Sequence, residues 1–369
     1  MPADSAIATH FADLPDPRID RCKRHDLLGI VTIAVCGVIC GADTWADIER
    51  FGHAKRAWLE TLVPLPGGIP SHDTFGRVFA ALDPAAFEQA FLGWVQALVT
   101  GTEGMVVAID GKTARRSHDR PHDRGPLHLV SAWATANQVV LGQVATDDQS
   151  NEITAIPVLL DALDLADTVV TIDAMGCQTT IADQIVVGGG DYVLALKDNQ
   201  PTLHELVTHH FAVADTPVET RTVDKDHGRL EIRTCRATDD PRVLAWLDPE
   251  RAWTGLRSVA AVTGERRIGE EVTVETRYYL SSLPADAERI GQAVRAHWGI
   301  ENGLHWVLDM AFREDESRVR SGHAAENLAL LRRLALTLLK RESTAKAGIN
   351  GKRLMCGWDT AYLAKVLTA

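Results

Sequence analysis

A chain of 369 residues, 46% hydrophobic and 24% charged, exceeds the usual single-core size and has the apolar content to bury two or three structural units, which excludes a disordered protein. Its formal net charge of −12 argues, taken alone, against a nucleic-acid binder, because phosphate binding usually leaves a basic footprint. The basic residues are unevenly placed, however: "GKTARRSHDRPHDR" holds Lys112, Arg115, Arg116, Arg120 and Arg124, and "REDESRVR" holds Arg313, Arg318 and Arg320, so an acidic chain can still carry a basic cleft.

The chain starts "MPADSAIATHFADLPDPRID", with no early basic residue and so no secretory leader pattern. The longest uncharged run, "LLGIVTIAVCGVICGA", is too short for a confident membrane span. Six cysteines show no CxxC pair and no disulfide-framework spacing, which suits a reducing compartment, and the expectation is a cytoplasmic protein with no membrane partner. Residues 1–95 read as helices: the run from Leu27, then "TWADIERFGHAKRAWLETLV", a Pro/Gly break at "PLPGGIP", and "SHDTFGRVFAAL" with Ser71 as its N-cap. After "VTGTEG" the texture becomes strand-like in "MVVAID", "LHLVSAWAT" and "QVVLGQVAT", the last two meeting at the turn residues Ala136 and Asn137.

A helix is predicted in "NEITAIPVLLDAL", a strand in "TVVTIDA", a helix in "TTIADQIVVGG" and a buried strand in "DYVLALK". A meander followed by α/β alternation points to a mixed sheet flanked by helices. Residues 212–283 return to polar strand-like alternation and read as a β-rich insertion. The helical "HWGIENGLHWVLD" follows, then "AAENLALLRRLALTLLKR" and a tail ending in "GWDTAYLAKVLTA". The expected units are residues 1–95, a core in two parts at 104–211 and 284–345, the insertion at 212–283 and a tail at 346–369.

Asp110 ends "VVAID" and Asp173 ends "TVVTID", so two apolar strands each release a carboxylate where a sheet meets its loops. The crevice outside the carboxyl ends of parallel strands is where ligands bind, and convergent carboxylates without a compensating cation suit a hard divalent metal ion. The plain alternative is that each Asp caps a turn. In "HWGIENGLHWVLD" the residues Ile300, Leu304, Val307, Leu308 and Ala311 form an apolar stripe, and Glu301 sits at its border with His297 one turn before and His305 one turn after. Weaker signals dissolve on inspection. "DGKT" lacks the first glycine of a phosphate loop, since Val106 stands there; "VGGGD" reads as a helix stop; and His118 and His122 flank a proline in a solvated loop.

The stretches "FADLPDPR", "GADTWADIERFG", "IPSHDTFGRVF", "AIDGKTARRS", "LHLVSAW", "SNEITAIPVLL", "TIDAMGCQ", "YVLALKDNQ", "HWGIENGLHWVLDMAF", "NLALLRRLAL" and "GWDTAYL" run nearly end to end. Through them the chain resembles the DDE transposases of bacterial insertion sequences, specifically the ISAs group, also called H-repeat-associated proteins. The resemblance implies an RNase H-like α/β core interrupted by a β-rich insertion and preceded by an N-terminal helical domain. Its first and fourth strands would supply Asp110 and Asp173, and a later helix Glu301, as catalytic and metal-binding residues. The wider superfamily places Tyr, Arg and Lys around the Glu; this chain has Val294, His297 and Leu308 there.

The implied activity is binding of an element's terminal inverted repeats, cutting at its ends and joining of the freed 3′-hydroxyl to target DNA. Two Mg²⁺ ions, replaceable by Mn²⁺, would sit about 3.5–4 Å apart among the three carboxylates. A homodimer in the DNA complex and a nucleoid-associated location go with that activity. Expected DNA contacts are Lys112, Arg115, Arg116, Arg77, His297, His305 and Arg318, with Arg295 a further phosphate candidate. His72, Thr74 and Arg77, near the start of a capped helix, suggest that residues 1–95 read the element ends. Two rivals stand beside this reading: a catalytically inactive DNA-binding descendant, and a zinc hydrolase using His297, Glu301 and His305. Two His eight apart rise about 12 Å along a helix, which makes one shared ion difficult.

Overall fold

The computed structural model describes residues 6–98, 104–118, 125–146, 151–214, 218–226 and 228–368. Arg120, Arg124 and His122 lie outside them. The N-terminal region is helical, with α1 (Ala6–Phe11), α2 (Leu27–Ile39), α3 (Trp45–Leu59), α4 (His72–Ala81) and α5 (Pro84–Leu98). Helix α2 is apolar on every side, and it is buried accordingly, from Leu27 through Ile39 with Leu28 alone partly exposed. Among the described residues no helix is long and apolar enough to cross a membrane. Ser71 occupies the N-cap position of α4, where its carbonyl accepts from the Thr74 and Phe75 N–H groups but its side chain caps none; its hydroxyl lies 3.2 Å from that of Thr74.

Among the described residues nine strands form one mixed sheet in the order β3-β2-β1-β4-β5-β9-β8-β7-β6. The first part holds β1 (Val106–Thr113), β2 (His128–Ala134), β3 (Val139–Thr146), β4 (Val169–Ile172) and β5 (Asp191–Leu196), with α6 (Glu152–Asp161) and α7 (Thr179–Val187) between the later strands. Strands β1, β4 and β5 run parallel, and β2 and β3 antiparallel. The meander followed by α/β alternation is therefore as the sequence predicts. Gly188 caps α7 and Gly189 takes φ +81°, which makes "VGGGD" the helix stop.

The β-rich segment extends this same sheet. Helix α8 (Pro201–Val213) leads to β6 (Val218–Asp226) and β7 (Arg229–Thr238); α9 (Pro241–Leu247) leads to β8 (Ser258–Ile268) and β9 (Glu271–Ser281). β9 pairs antiparallel with β5, so the four strands widen the core sheet from its β5 side. Its last strand leads into α10 (Ala287–Ile300), which lies across β1, β4 and β5. Then come α11 (Trp306–Phe312), α12 (Ala324–Arg341), α13 (Ile349–Trp358) and α14 (Thr360–Leu367).

Helix α12 is the hub. It contacts α2, α4 and α5 of the N-terminal region, β3 of the sheet, and α11, α13 and α14, and one hydrophobic core runs continuously through all of them. Where α5 meets β3, the carboxylate of Glu88 accepts a hydrogen bond from the Gln143 amide at 2.6 Å, and burial pushes its pKa from 4.5 up to about 7. Because the folded state holds this proton more tightly than the unfolded chain, the contribution of Glu88 to stability is full below pH 4.5 and is lost as pH rises through about 7. Glu88→Gln keeps an acceptor for Gln143 and removes the charge. We expect it to raise stability by about 1–2 kcal/mol at pH 8 and by almost nothing at pH 4.5, read from denaturant melts at the two values. An equal effect at both would show that the charge is not what burial disfavours.

Candidate active site

Strand β1 does not end at Asp110. It continues to Thr113 in register with β2, Asp110 facing Ser131, whereas pairing with β4 stops at Ile109 and Ile172. Asp110 thus emerges where β4 has run out, and Asp173 is the first residue beyond β4, one step past the Ile109–Ile172 pair. Each aspartate is thus the residue directly after the last paired position of two adjacent parallel strands.

Side chains alternate along β1. Gly111 therefore faces away from Asp110, and a Cβ there would meet Glu152 Oε1 at 2.1 Å and His128 Nε2 at 2.6 Å. The glycine makes room for a Glu152–His128 contact of 2.9 Å, and His128 in turn lies 2.7 Å from the Thr113 hydroxyl. Sequence reasoning missed Glu152 as a fourth carboxylate near the strand ends; the signal available was an acid opening a helix in "SNEIT" together with a glycine directly after Asp110.

Glu301 arrives from the other side. Between α10 and α11 the helix opens into a π-helical turn, Glu301–His305. Such turns are rare and occur often at functional sites, because the extra residue shifts the following helix face relative to the preceding one. Gly299 and Gly303 lie against the Trp133 ring on β2, and the turn presses on the sheet there. The apolar stripe of Ile300, Leu304, Val307, Leu308 and Ala311 is buried as predicted.

The donor atoms of Asp110, Glu301 and His305 lie within 4.8 Å of one another. His305 Nδ1 is 3.5 Å from Asp110 Oδ2 and 3.9 Å from Glu301 Oε2. Asp173 lies outside that trio. Its Oδ1 accepts backbone N–H bonds from Met175 (3.0 Å) and Gly176 (3.4 Å), which is the turn-capping geometry that an Asp after a strand commonly adopts. His297 is also outside the trio: its Nδ1 meets the Thr171 hydroxyl on β4 at 3.1 Å. The helix thus turns its two imidazoles to different partners, and the His297–Glu301–His305 zinc arrangement does not form.

Electrostatics follow from burial. Desolvation, and then the charges of Glu301 and Asp173, push the Asp110 carboxyl up to about 8. Asp173 is raised by burial and by Glu152. Burial lowers His297 to about 4, and burial with the cations Arg333 and Lys112 lowers His305 to about 3, so both imidazoles are neutral near pH 7. Carboxylates whose mutual repulsion opposes ionisation form a site that a cation would complete.

The expected DNA contacts divide into two groups. Lys112 is buried, with its ammonium 2.8 Å from Asp309, 3.2 Å from Asp315 and 3.5 Å from Glu314. Burial alone would lower its pKa, but these carboxylates hold it above the usual value, and its charge is engaged inside the protein. His305 is buried beside Asp110 and His297 bonds Thr171. Arg115, Arg116 and Arg318 are exposed, and Arg320 Nε donates to the Arg116 carbonyl at 3.0 Å, which joins the two basic stretches beside the site. Arg77 is exposed on α4 with its Nε 3.2 Å from the Asp73 carbonyl, and Arg295 pairs with Asp224 at 3.0 Å. A cleft runs from Asp173 past His297 to Lys197, Arg277 and Trp298, where the Arg277 guanidinium lies 4.6 Å above the indole.

Comparison with known proteins matches residues 101–338 to the Transposase DDE domain family and residues 8–95 to the family described as DDE_Tnp_1-associated. "Putative transposase YncI" of Escherichia coli O157:H7 is 40% identical over 371 residues, covering 99% of this chain and 95% of that protein. "H repeat-associated putative transposase YhhI" of Escherichia coli K12 is 39% identical, covering 98% of this chain and 97% of that one. Among solved structures, a piggyBac transposase synaptic complex with hairpin DNA aligns at a TM-score of 0.42 and 9% identity over 100% of this chain and 78% of that one, too distant to set residue correspondences. Two family matches that together run from residue 8 to residue 338, and relatives matched over nearly their whole length, place this chain in the DDE transposase family, in the group that includes the H-repeat-associated proteins.

Proposed function

We propose that the protein binds the terminal inverted repeats of a mobile element and catalyses divalent-metal-dependent cleavage and strand transfer of DNA, with Asp110, Asp173 and Glu301 as its catalytic carboxylates. The observation that carries this reading is the meeting of Asp110 with Glu301 at the point where β4 ends and Asp173 begins its turn. The donor set fits Mg²⁺ or Mn²⁺, which take oxygen ligands and complete their coordination with water and substrate phosphate. When bound, such ions would activate the attacking hydroxyl and stabilise the leaving oxygen.

The remaining work falls to the chain itself. Arg115, Arg116 and Arg318 hold backbone phosphates near the carboxylates, and the cleft with Lys197, Arg277 and Trp298 receives the strand leaving Asp173. Arg77, on the exposed face of α4, contacts the repeat. Reaction at two element ends calls for two copies of the site, hence a homodimer working on DNA at the nucleoid.

The test is a cleavage assay on duplex DNA carrying the host element's own ends. Nicks at the element boundary are expected with Mg²⁺ or Mn²⁺ and not with EDTA or Zn²⁺ alone. Ca²⁺, with its larger and looser coordination, should bind and inhibit. Specific binding of the ends without cleavage in any of these metals would replace this reading with that of an inactive DNA-binding descendant.

A further inference from the structure

We propose that His305 is itself a metal ligand, through Nδ1, sharing one divalent cation with Asp110 and Glu301, so that this half of the site is built from nitrogen and oxygen and not from carboxylates alone. The proposal rests on the metal-dependent reading above and goes beyond its three acidic residues.

Distance is the first ground. Nδ1 lies 3.5 Å from Asp110 Oδ2 and 3.9 Å from Glu301 Oε2. Both separations exceed the usual 2.7–3.2 Å of an N–H···O hydrogen bond. Ligands about 2.1 Å from one ion stand about 3 Å apart when adjacent and about 4.2 Å when opposite, and the observed separations fall between these values. His305 Nδ1 is therefore placed to share an ion with each carboxylate and not to hydrogen-bond either of them.

The ring's surroundings are the second ground. The His305 side chain is 8% exposed, and its Nε2 is buried without a hydrogen-bond partner among the described residues. Leaving a buried polar atom unsatisfied is costly, and an apolar residue in the same stripe would avoid that cost. The turn nonetheless places an imidazole here, with Nδ1 near both carboxylates. His297 serves as an internal contrast, since its Nδ1 is bonded to Thr171. An imidazole in the ligand set favours Mn²⁺ over Mg²⁺ more than three carboxylates would.

The experiment uses the full-length protein with Mn²⁺ as the probe, read by pulsed electron paramagnetic resonance. Bound Mn²⁺ should show coupling to a directly ligated nitrogen, and the coupling should change to the ¹⁵N pattern in protein grown with ¹⁵N-histidine. His297→Gln should keep that coupling. His305→Gln should lose it, with Mn²⁺ affinity about tenfold weaker or more. The labelled parent protein decides the question even if His305→Gln fails to fold. Mn²⁺ bound in a manner abolished by Asp110→Asn, but with no nitrogen coupling, would remove His305 from the ligand set and leave the carboxylate reading standing. Absence of any Asp110-dependent Mn²⁺ binding would overturn both.

Discussion

Asp110→Asn, Asp173→Asn and Glu301→Gln should each reduce Mg²⁺-dependent cleavage of element ends by about 10³-fold or more while binding of the same DNA persists. Each change removes one negative charge at nearly constant volume. Asp110 ionises reluctantly, its pKa pushed up to about 8, so an amide in its place resembles the neutral acid present below that pH and should leave the variant at least as resistant to denaturation as the parent. At Asp173 the amide oxygen can still accept the Met175 and Gly176 N–H bonds that shape the turn. Loss of activity would then report the missing charge and not a missing fold. Cleavage gels and mobility-shift titrations on the same preparations separate the two quantities, and near-normal cutting by any one variant would remove that residue from the site.

Stability, by contrast, should depend most on a carboxylate that no catalytic reading selects. Glu314 is 1% exposed, with Arg333 Nη1 2.9 Å from Oε1 and Lys112 Nζ 3.5 Å from Oε2. Arg332 is buried nearby. Burial would raise the Glu314 pKa, but Arg333, Arg332 and Lys112 outweigh it and hold the carboxyl below its usual value. Glu314→Ala would leave buried cations without their partner, at an expected cost of about 3–5 kcal/mol. Urea denaturation followed by tryptophan fluorescence measures it, and a loss under about 1 kcal/mol would show that water or rearranged neighbours replace the carboxylate. The network also reaches Lys112, two residues past Asp110 on the same strand, so partial loss of cleavage in any folded Glu314 variant is expected.

The elements most legible in the sequence were those whose pattern is local. The strands carrying Asp110 and Asp173, the buried stripe through Leu304 and Leu308, and the stop at Gly188 and Gly189 follow from alternation, helical spacing and glycine conformation. What escaped depends on partners far along the chain. Asp110 looked like a strand end because "VVAID" is followed by polar residues, yet β2 continues to pair with β1 as far as Thr113. Lys112 looked like a phosphate contact because nothing nearby announces Asp309 and Glu314. The segment 212–283 reads as a β-rich insertion, but nothing in its polar strands announces that β9 pairs with β5. The helix α9 went unread despite Asp240 and Pro241, a capping acid followed by a proline at the first helical position. The π-helical turn has no sequence signature of its own, and it brings His305, and not His297, to Asp110 and Glu301.

The hub role of α12 also sets the timing of folding. Helix α2, apolar on every side, leaves the ribosome early, but α12 follows roughly 285 residues later, which at about 5–20 residues per second takes on the order of 15–60 s. Throughout that interval the nascent N-terminal region carries a sticky surface whose partner has not been synthesised, so the yield of native protein should depend on how well holdase chaperones shield it, and heavy expression should favour inclusion bodies over soluble protein.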